Sequence, residues 1–296
     1  DRHPATPSQD SDPRRTRRAV VSEGEAIYRR IQGAARSVAD KTGIPAPTQE
    51  YLIRHLLESF LNRLTCTVHA EDFILKGGLL LAAYGARRPT KDADANAVSA
   101  DVTAEHLTDV VHDIAAVEAG DGVVFDTDTI TVQEIREQAD YPALRLRVKA
   151  RIGPWAGTAA WDVSTGDPII PAPRRVRIDR VLGEPIELLG YAPETTIAEK
   201  GVTILERGIT STRWRDYIDV VQLAGQGIDT ADLLRSALRA GGGNDCDPDA
   251  ALAAWSEPRK LALERVDRLL KEELASAGTS NLAMLSVATA ELRTLV

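Results

Sequence analysis

Two aspartates separated by a single residue, Asp92 and Asp94, are the first candidates for chemistry in this sequence. In an extended segment, side chains two residues apart lie on the same side of the backbone, so both carboxylates would face one direction. Carboxylate oxygens are the ligands that magnesium and manganese prefer. A third carboxylate, Asp162, lies in another strand-like segment and can complete the set. The pattern indicates a Mg²⁺ or Mn²⁺ site, with ordinary solvated strand-end aspartates as the alternative.

A pair of glycines, Gly77 and Gly78, precedes the aspartates and follows a short apolar run. Glycine lets the backbone approach a phosphate closely, and the start of a helix presents N–H groups with partial positive charge. A glycine turn of this kind therefore predicts a phosphate-binding element near the carboxylates. Lys76, directly before it, is either a phosphate contact or a structural charge at the end of a strand.

The elements that must position these residues follow from hydrophobic periodicity. Helical spacing is clearest from 48 to 64, and alternation is clearest from 144 to 152 (LRLRVKARI), where one face is apolar and the other basic. The remaining predicted strands are 73–75, 91–98, 123–125, 129–135 and 158–163. Helical pattern is also predicted from about Val20, at a helix start in 79–86, at 103–117, 196–207, 213–226 and 230–240, and from the glycine break at 241–244 to the end. This order predicts an α/β (α+β) lobe with a mixed sheet, followed by an α-helical C-terminal lobe.

The expected division of the chain is a flexible polar tail at 1–20, a mixed α/β domain at 21–190 and a helical domain at 191–296. The 296 residues are 43% hydrophobic and 27% charged, which is ordinary for a globular protein. The two cysteines have no metal-ligand spacing, which argues against a zinc site and a disulfide framework. No apolar run approaches the ~20 residues of a membrane span. We therefore expect a soluble, cytoplasmic protein with no membrane partner.

Charge is distributed unevenly along the chain. The net charge is -8, which argues against a protein that coats nucleic acid through bulk positive charge. Residues 92–140 contain thirteen acidic side chains and one basic, whereas residues 141–215 contain twelve basic and eight acidic. Two basic groups in the second segment are candidate phosphate contacts or, alternatively, cross-strand partners of the acidic segment: Arg145, Arg147, Lys149 and Arg151; and Arg174, Arg175, Arg177 and Arg180.

Several segments together resemble the nucleotidyltransferase toxins of the AbiEii type, including the MenT-type toxins of bacterial toxin–antitoxin systems. The similar segments occur in the family's order. They are Phe73–Leu81 (FILKGGLLL, like FVLKGG), Arg88–Asp94 (RPTKDAD, like RPTxDxD), Trp161–Val163 (the strand with the third aspartate), Glu194–Lys200 (ETTIAEK, like ETxxAEK) and Ser211–Asp219 (STRWRDYID, like SRxKDxxD). The last seventy residues match nothing in this pattern.

The resemblance implies a polymerase-β-like nucleotidyltransferase lobe with a helical lobe closing over the nucleotide. In that family pattern, Asp92, Asp94 and Asp162 hold the metals, and Lys200 is the cation on the triphosphate. Asp216 orients Lys200 and the nucleotide, although Asp216 and Asp219 could equally be ordinary partners of nearby arginines. The implied nucleotide-binding residues are Lys76, Gly77, Gly78, Thr90 and Arg213.

The same resemblance implies a toxin that transfers a nucleoside monophosphate from an NTP to an RNA 3′ end, with the tRNA acceptor as the leading candidate, and so blocks translation. It also implies a cognate antitoxin, with modification of Thr90 as one route of neutralisation, because a phosphate there would add negative charge beside the carboxylates. The alternative for Thr90 is a local turn cap. The alternatives for the whole protein are nucleotidylation of a protein hydroxyl, or a non-catalytic nucleotide- or RNA-binding partner.

Overall fold

The computed structural model describes residues 13–98, 102–135, 143–167, 169–207, 214–229, 232–233 and 236–237. The helices within these ranges are α1 (Pro13–Thr42), α2 (Thr48–Leu64), α3 (Gly77–Leu80), α4 (Ala104–Ala116), α5 (Pro193–Arg207) and α6 (Trp214–Ala224), and a 3-10 helix at Leu81–Tyr84. The strands are β1 (Phe73–Lys76), β2 (Ala93–Ala97), β3 (Val123–Glu134), β4 (Ala143–Ile152), β5 (Trp155–Thr165), β6 (Arg174–Ile178) and β7 (Ile186–Gly190).

The strands form one seven-stranded mixed sheet in the order β3-β4-β5-β2-β1-β7-β6. Strand β2 pairs antiparallel with β1 and parallel with β5, whereas β1 pairs parallel with β7. The predicted mixed α/β class is confirmed. This order places the strands that carry the candidate residues, β1, β2, β5 and β4, next to one another near the middle of the sheet.

The hydrophobic core lies between the sheet and helices α1, α2 and α4. Alternate residues of β4 are buried on this side, as the period of two predicts, and they are Leu146, Val148, Ala150 and Ile152. Phe60 of α2 and Phe73 of β1 both contact the ring of Trp161 edge-on, with ring centroids 5.4 and 4.7 Å apart. Burial of this face leaves the opposite side chains of β4 and β5 on the other face of the sheet.

Several elements differ from the sequence-based expectation. The region predicted as two strands is the single strand β3, which has a register shift between Asp126 and Thr131 that interrupts the alternation. Strands β6 and β7 were not predicted, because each has only five residues and β6 alternates arginines with two apolar positions. Helix α1 begins at Pro13, so residues 13–20 of the expected tail are helical.

Helices α5 and α6 follow the sheet, as predicted for the start of the helical lobe. The segment 241–296 lies outside the described residues, and so does most of the predicted helix 230–240. Among the helices that the structure describes, none has the length and apolar character needed to span a membrane. The division into domains at 190 stays a prediction.

Candidate active site

Four charged residues form a row across four neighbouring strands. Lys76 of β1 is the register partner of Asp94 of β2, Asp94 is the partner of Asp162 of β5, and Asp162 is the partner of Arg145 of β4. Side chains of directly opposite residues lie on the same face of a sheet. The row therefore brings two carboxylates between two cations on the face opposite α1, α2 and α4.

The turn after β1 is shaped around Asp94. Gly77 has φ = +67°, and a Cβ at this position would lie 2.0 Å from Oδ2 of Asp94. The backbone N–H of Gly78 donates a hydrogen bond to the Asp94 carboxylate. A Cβ on Gly78 would lie 2.8 Å from Oγ1 of Thr90. Both glycines are required for close packing of the turn against the acidic residues, in addition to any contact with a phosphate.

The carboxylates repel one another. Burial, together with the charges of Asp92 and Asp162, raises the pKa of Asp94 to about 7, although Lys76 and the Gly78 N–H act in the opposite direction. Burial is the larger cause of the shift, and the part due to Asp92 and Asp162 reflects three carboxylates that lie close enough to repel one another. An added cation would therefore be bound favourably here.

Arg145 binds the third aspartate. Its Nε lies 2.6 Å from Oδ1 of Asp162, its Nη2 donates to Oδ2 of the same carboxylate, and Nη2 lies 3.8 Å from Oδ2 of Asp92. Sequence reasoning grouped Arg145 with the candidate RNA contacts or, alternatively, with partners of the acidic segment 92–140. Its hydrogen-bonded partner, Asp162, lies outside that segment, and only Asp92 belongs to it. The signal that could have found it is strand pairing, since β4 and β5 form a hairpin.

The three aspartates have the oxygen ligands that a hard divalent cation prefers, but only two of them are available to bind one. Asp92 and Asp94 supply only oxygen ligands, which suits Mg²⁺ or Mn²⁺. Both oxygens of Asp162 instead accept from Arg145. Among the residues that the structure describes, no three His, Cys, Asp or Glu side chains converge as a metal-binding group. Asp92 and Asp94 are thus the fitting ligands, and Asp162 can join them only if Arg145 releases it.

A second charged cluster joins helices α5 and α6 to the loop before β2. The Nζ of Lys200 on α5 lies 2.7 Å from Oδ1 of Asp216 and 2.8 Å from Oδ2 of Asp219, both on α6. Arg88 donates from Nε and Nη2 to the same Asp219 carboxylate at 3.0–3.3 Å. Asp219 is fully buried. Its i, i+3 spacing from Asp216 places both carboxylates on one helix face, which is the sequence signal for this cluster.

Lys76 belongs to a network of its own. Its amino group pairs with Asp167 after β5 and lies 3.6 Å from Oε1 of Glu199. Ser164 donates to Asp167, and Lys76 lies over the ring of Tyr191 at 5.7 Å. The network ties α5, which carries Glu199 and Lys200, to the sheet. Sequence reasoning singled out neither Glu199 nor Asp167 for this role, because their partner is distant in the chain.

Thr90 and Arg213 are the remaining candidate nucleotide-binding residues, and the structure describes only the first. Thr90 is partly buried, and its hydroxyl donates to Oδ1 of Asp92 at 3.1 Å and lies 3.3 Å from the Asp92 backbone oxygen. Arg213 lies outside the described residues. Thr90 is therefore in direct contact with a candidate metal ligand.

Comparison with known proteins gives a family match over most of the chain. The model of the family described as nucleotidyl transferase AbiEii toxin, type IV TA system, matches residues 59–286. No curated protein matches the chain. JHP933 from Helicobacter pylori is similar to 76% of this chain over 95% of its own, with 15% identity and a TM-score of 0.42. A candidate nucleotidyltransferase from H. pylori is similar to 83% of this chain over 97% of its own, with 14% identity and a TM-score of 0.46.

Proposed function

The chain belongs to the AbiEii family of nucleotidyl transferase toxins of type IV toxin–antitoxin systems, and from this premise we propose that it transfers a nucleoside monophosphate from an NTP to the 3′ end of tRNA. The observation that carries the proposal is the arrangement of Asp92 and Asp94 against the Gly77–Gly78 turn. This turn can present backbone N–H groups to phosphates beside carboxylates that can hold a divalent cation.

In this proposal, Asp92 and Asp94 would hold Mg²⁺ or Mn²⁺, and the chemistry that such an ion would supply is neutralisation of the charge on the triphosphate. The 3′-hydroxyl oxygen of the RNA forms a bond to the α-phosphorus, the bond from that phosphorus to the bridging oxygen breaks, and pyrophosphate leaves. Asp162 lies beside Asp94 on the same face and would accept the hydroxyl proton once Arg145 releases it. Most of the work of the protein is positioning and charge neutralisation.

Lys200 would bind the triphosphate from the helical lobe. Asp216 and Asp219 hold its amino group in place, and Arg88 anchors Asp219 to the loop that leads into Asp92. The chain of contacts couples the position of Lys200 to the position of the carboxylates. Lys76, which is engaged with Asp167 and Glu199, would act on the nucleotide indirectly by fixing α5 against the sheet.

A labelling assay tests the proposal. Full-length protein is incubated with each labelled ribonucleoside triphosphate, Mg²⁺ and total tRNA. We expect label on tRNA with wild type, loss of the label with Asp92→Ala, and retention with Asp126→Ala, an exposed aspartate of β3. Absence of transfer to any RNA with every NTP would refute the proposal. Label that is removed by protease and not by RNase would assign the activity to a protein hydroxyl instead.

The toxin–antitoxin family implies an antitoxin partner, and the contact between Thr90 and Asp92 supports a route for its action. A phosphate on Thr90 adds about -1.5 to -2 charge, beside carboxylates that already repel one another. Such a modification would occupy the space in which the metal and triphosphate bind. Thr90→Val removes the hydroxyl and is expected to abolish antitoxin-dependent modification, whereas Thr90→Ser keeps a hydroxyl and is expected to be modified still, as measured by intact mass.

A further inference from the structure

Three exposed cations lie along β4 beyond Arg145 and lead away from the candidate active site. Arg147, Lys149 and Arg151 alternate with buried apolar residues, so they lie on the same face of the strand as Arg145. We call these three residues the basic stripe. Because Arg145 is bound to Asp162, the basic stripe begins where the catalytic carboxylates end.

Few side chains of the described residues contact the charged groups of the basic stripe. Within the described residues, none of its members has an ion pair, and the side-chain hydrogen bond of Arg147 to Oε1 of Gln133 is long at 3.5 Å. Asp126 of β3 is the register partner of Lys149, but both side chains are exposed and form no ion pair. The positive charge of the stripe is therefore available to a ligand from solution.

The neighbouring strand leaves room for such a ligand. The register partners of the stripe on β5 are small residues: Ala160, Thr158 and Ala156. They form a shallow floor that lies beside the stripe and ends at Asp162. No helix of the described residues covers this side of β3, β4 and β5, since α1, α2 and α4 pack on the other side.

From this face we infer that the basic stripe binds successive phosphates of the single-stranded 3′ end of the acceptor RNA and leads its terminal hydroxyl to the carboxylates. This inference rests on the proposed function. Alternate residues of a strand are about 6.6 Å apart, which is comparable to the separation of successive phosphates in an extended nucleic-acid strand. A flat sheet face suits a single strand better than a duplex, and its recognition would be electrostatic, without base readout.

The second basic group is less suited to this role. Arg174 of β6 lies over the ring of Tyr84 at 5.1 Å and donates to its hydroxyl, and Arg175 pairs with Glu71 at 3.0 Å. Strand β6 is also at one edge of the sheet, and three strands separate it from β5. These contacts make Arg175 a useful control, because its substitution removes one exposed positive charge away from the proposed track.

Binding is measured by fluorescence anisotropy with a 5′-labelled single-stranded RNA octamer, across a range of salt concentrations. The protein is full-length and carries Asp92→Ala, so that no transfer occurs. Each of Arg147→Gln, Lys149→Gln and Arg151→Gln is expected to reduce the slope of log affinity against log salt by about 0.7, and the triple variant by about 2. Arg175→Gln is expected to leave affinity and slope unchanged, and thermal unfolding verifies that each variant is folded.

Two results would overturn the inference. One is a folded triple variant with wild-type affinity and salt slope. The other is stripe-dependent binding of polyglutamate as tight as that of RNA, which would assign the face to an acidic protein. Transfer assays with the triple variant in an otherwise wild-type chain separate this inference from the proposed function. For the triple variant we expect a raised KM for RNA and an unchanged kcat. If the wild-type protein binds RNA normally through the basic stripe but transfers no nucleotide, only the proposed function is refuted.

Discussion

Two aspartates, Asp94 in β2 and Asp121 in the loop before β3, have opposite electrostatic environments. Burial and the neighbouring Asp92 and Asp162 raise the pKa of Asp94 to about 7. Burial also acts to raise the pKa of Asp121, but hydrogen bonds and charge from Arg63 outweigh it, and the pKa lies below its usual range. Asp121 accepts from Nε and Nη2 of Arg63 at 3.0 and 2.6 Å. The positive charge beside Asp121 is sufficient to lower its pKa, whereas the positive charge beside Asp94 is not.

The difference separates a binding site from a scaffold. The pair of Arg63 and Asp121 is satisfied by the protein alone, and Arg63 also donates to the backbone oxygen of Val123, so the pair fixes α2 to the start of β3. Asp94 is held in a repulsive position by the fold around it, which is expected where the missing charge comes from a ligand. The two sites should therefore respond in opposite ways to the same substitution.

The largest expected effect is on activity at Asp94. Asp94→Asn removes a metal ligand and should lower nucleotidyl transfer at least about a thousandfold, equivalent to about 4 kcal/mol of transition-state stabilisation. Because the substitution also removes repulsion, the free energy of unfolding should not fall. Transfer assays and urea unfolding measure the two quantities, with Asp126→Asn as the exposed control. Full activity in the variant would show that Asp94 is not part of the active site.

The next effect is on stability at Asp121. Asp121→Asn leaves the Arg63 guanidinium buried without a full counter-charge, and breaking such a pair costs about 3 kcal/mol of unfolding free energy. Urea unfolding at neutral pH measures the loss. The exposed pair of Arg175 and Glu71 is the matched control, since Glu71→Gln should change stability by less than about 0.5 kcal/mol. Equal effects at Asp121 and Glu71 would contradict the assignment of Asp121 to the scaffold.

The glycine turn offers a third test with a control of nearly the same backbone conformation. Gly77 and Gly85 have φ of +67° and +71°, but a Cβ on Gly77 would lie 2.0 Å from the Asp94 carboxylate, whereas nothing lies within 4 Å of a Cβ on Gly85. Gly85→Ala should cost about 1 kcal/mol through its conformation alone. Gly77→Ala should cost more and also reduce transfer, because Asp94 must move. Similar losses in both variants would mean that the turn does not position Asp94.

The last test is a pair of opposite pH dependences in metal-free protein. The folded pKa of Asp94, about 7, is above the usual carboxyl value of 3.8, so its contribution to stability is complete below about pH 4 and is lost as the pH rises to about 7. The advantage of Asp94→Asn over wild type should grow across that range and shrink when Mg²⁺ is added. The folded pKa of Asp121 is depressed, so its contribution is present above about pH 4 and lost as the pH falls through the folded value.

Urea unfolding of wild type, Asp94→Asn and Asp121→Asn at several pH values, in EDTA and in Mg²⁺, measures both dependences. A difference between wild type and Asp94→Asn that does not vary with pH would show that Asp94 titrates normally. A difference between wild type and Asp121→Asn that persists unchanged in acid would show the same for Asp121.

Local sequence patterns predicted the elements that have a strong period. Helix α2 begins and ends where the apolar spacing placed it, at Thr48 and Leu64, and the alternation of β4 separates its buried and exposed faces as predicted. Strand β6 escaped prediction because three of its five residues are arginines, which leaves only two apolar positions. The continuous β3 was divided because its bulge interrupts the alternation. The predicted bounds of an element are wrong where the hydrophobic pattern covers only part of that element.

The sequence by itself determined which chemical groups are present: the paired aspartates, the glycines before them, the lysine of the AEK segment and the alternating cations of β4. Only the tertiary structure decided which charges neutralise one another. Strand order brings Arg145 to Asp162, and helix packing brings Asp216 and Asp219 to Lys200. These partners depend on register and on contacts between distant segments, which no local pattern encodes. The charge left unbalanced after this pairing, at Asp94 and along β4, is what points to the ligands.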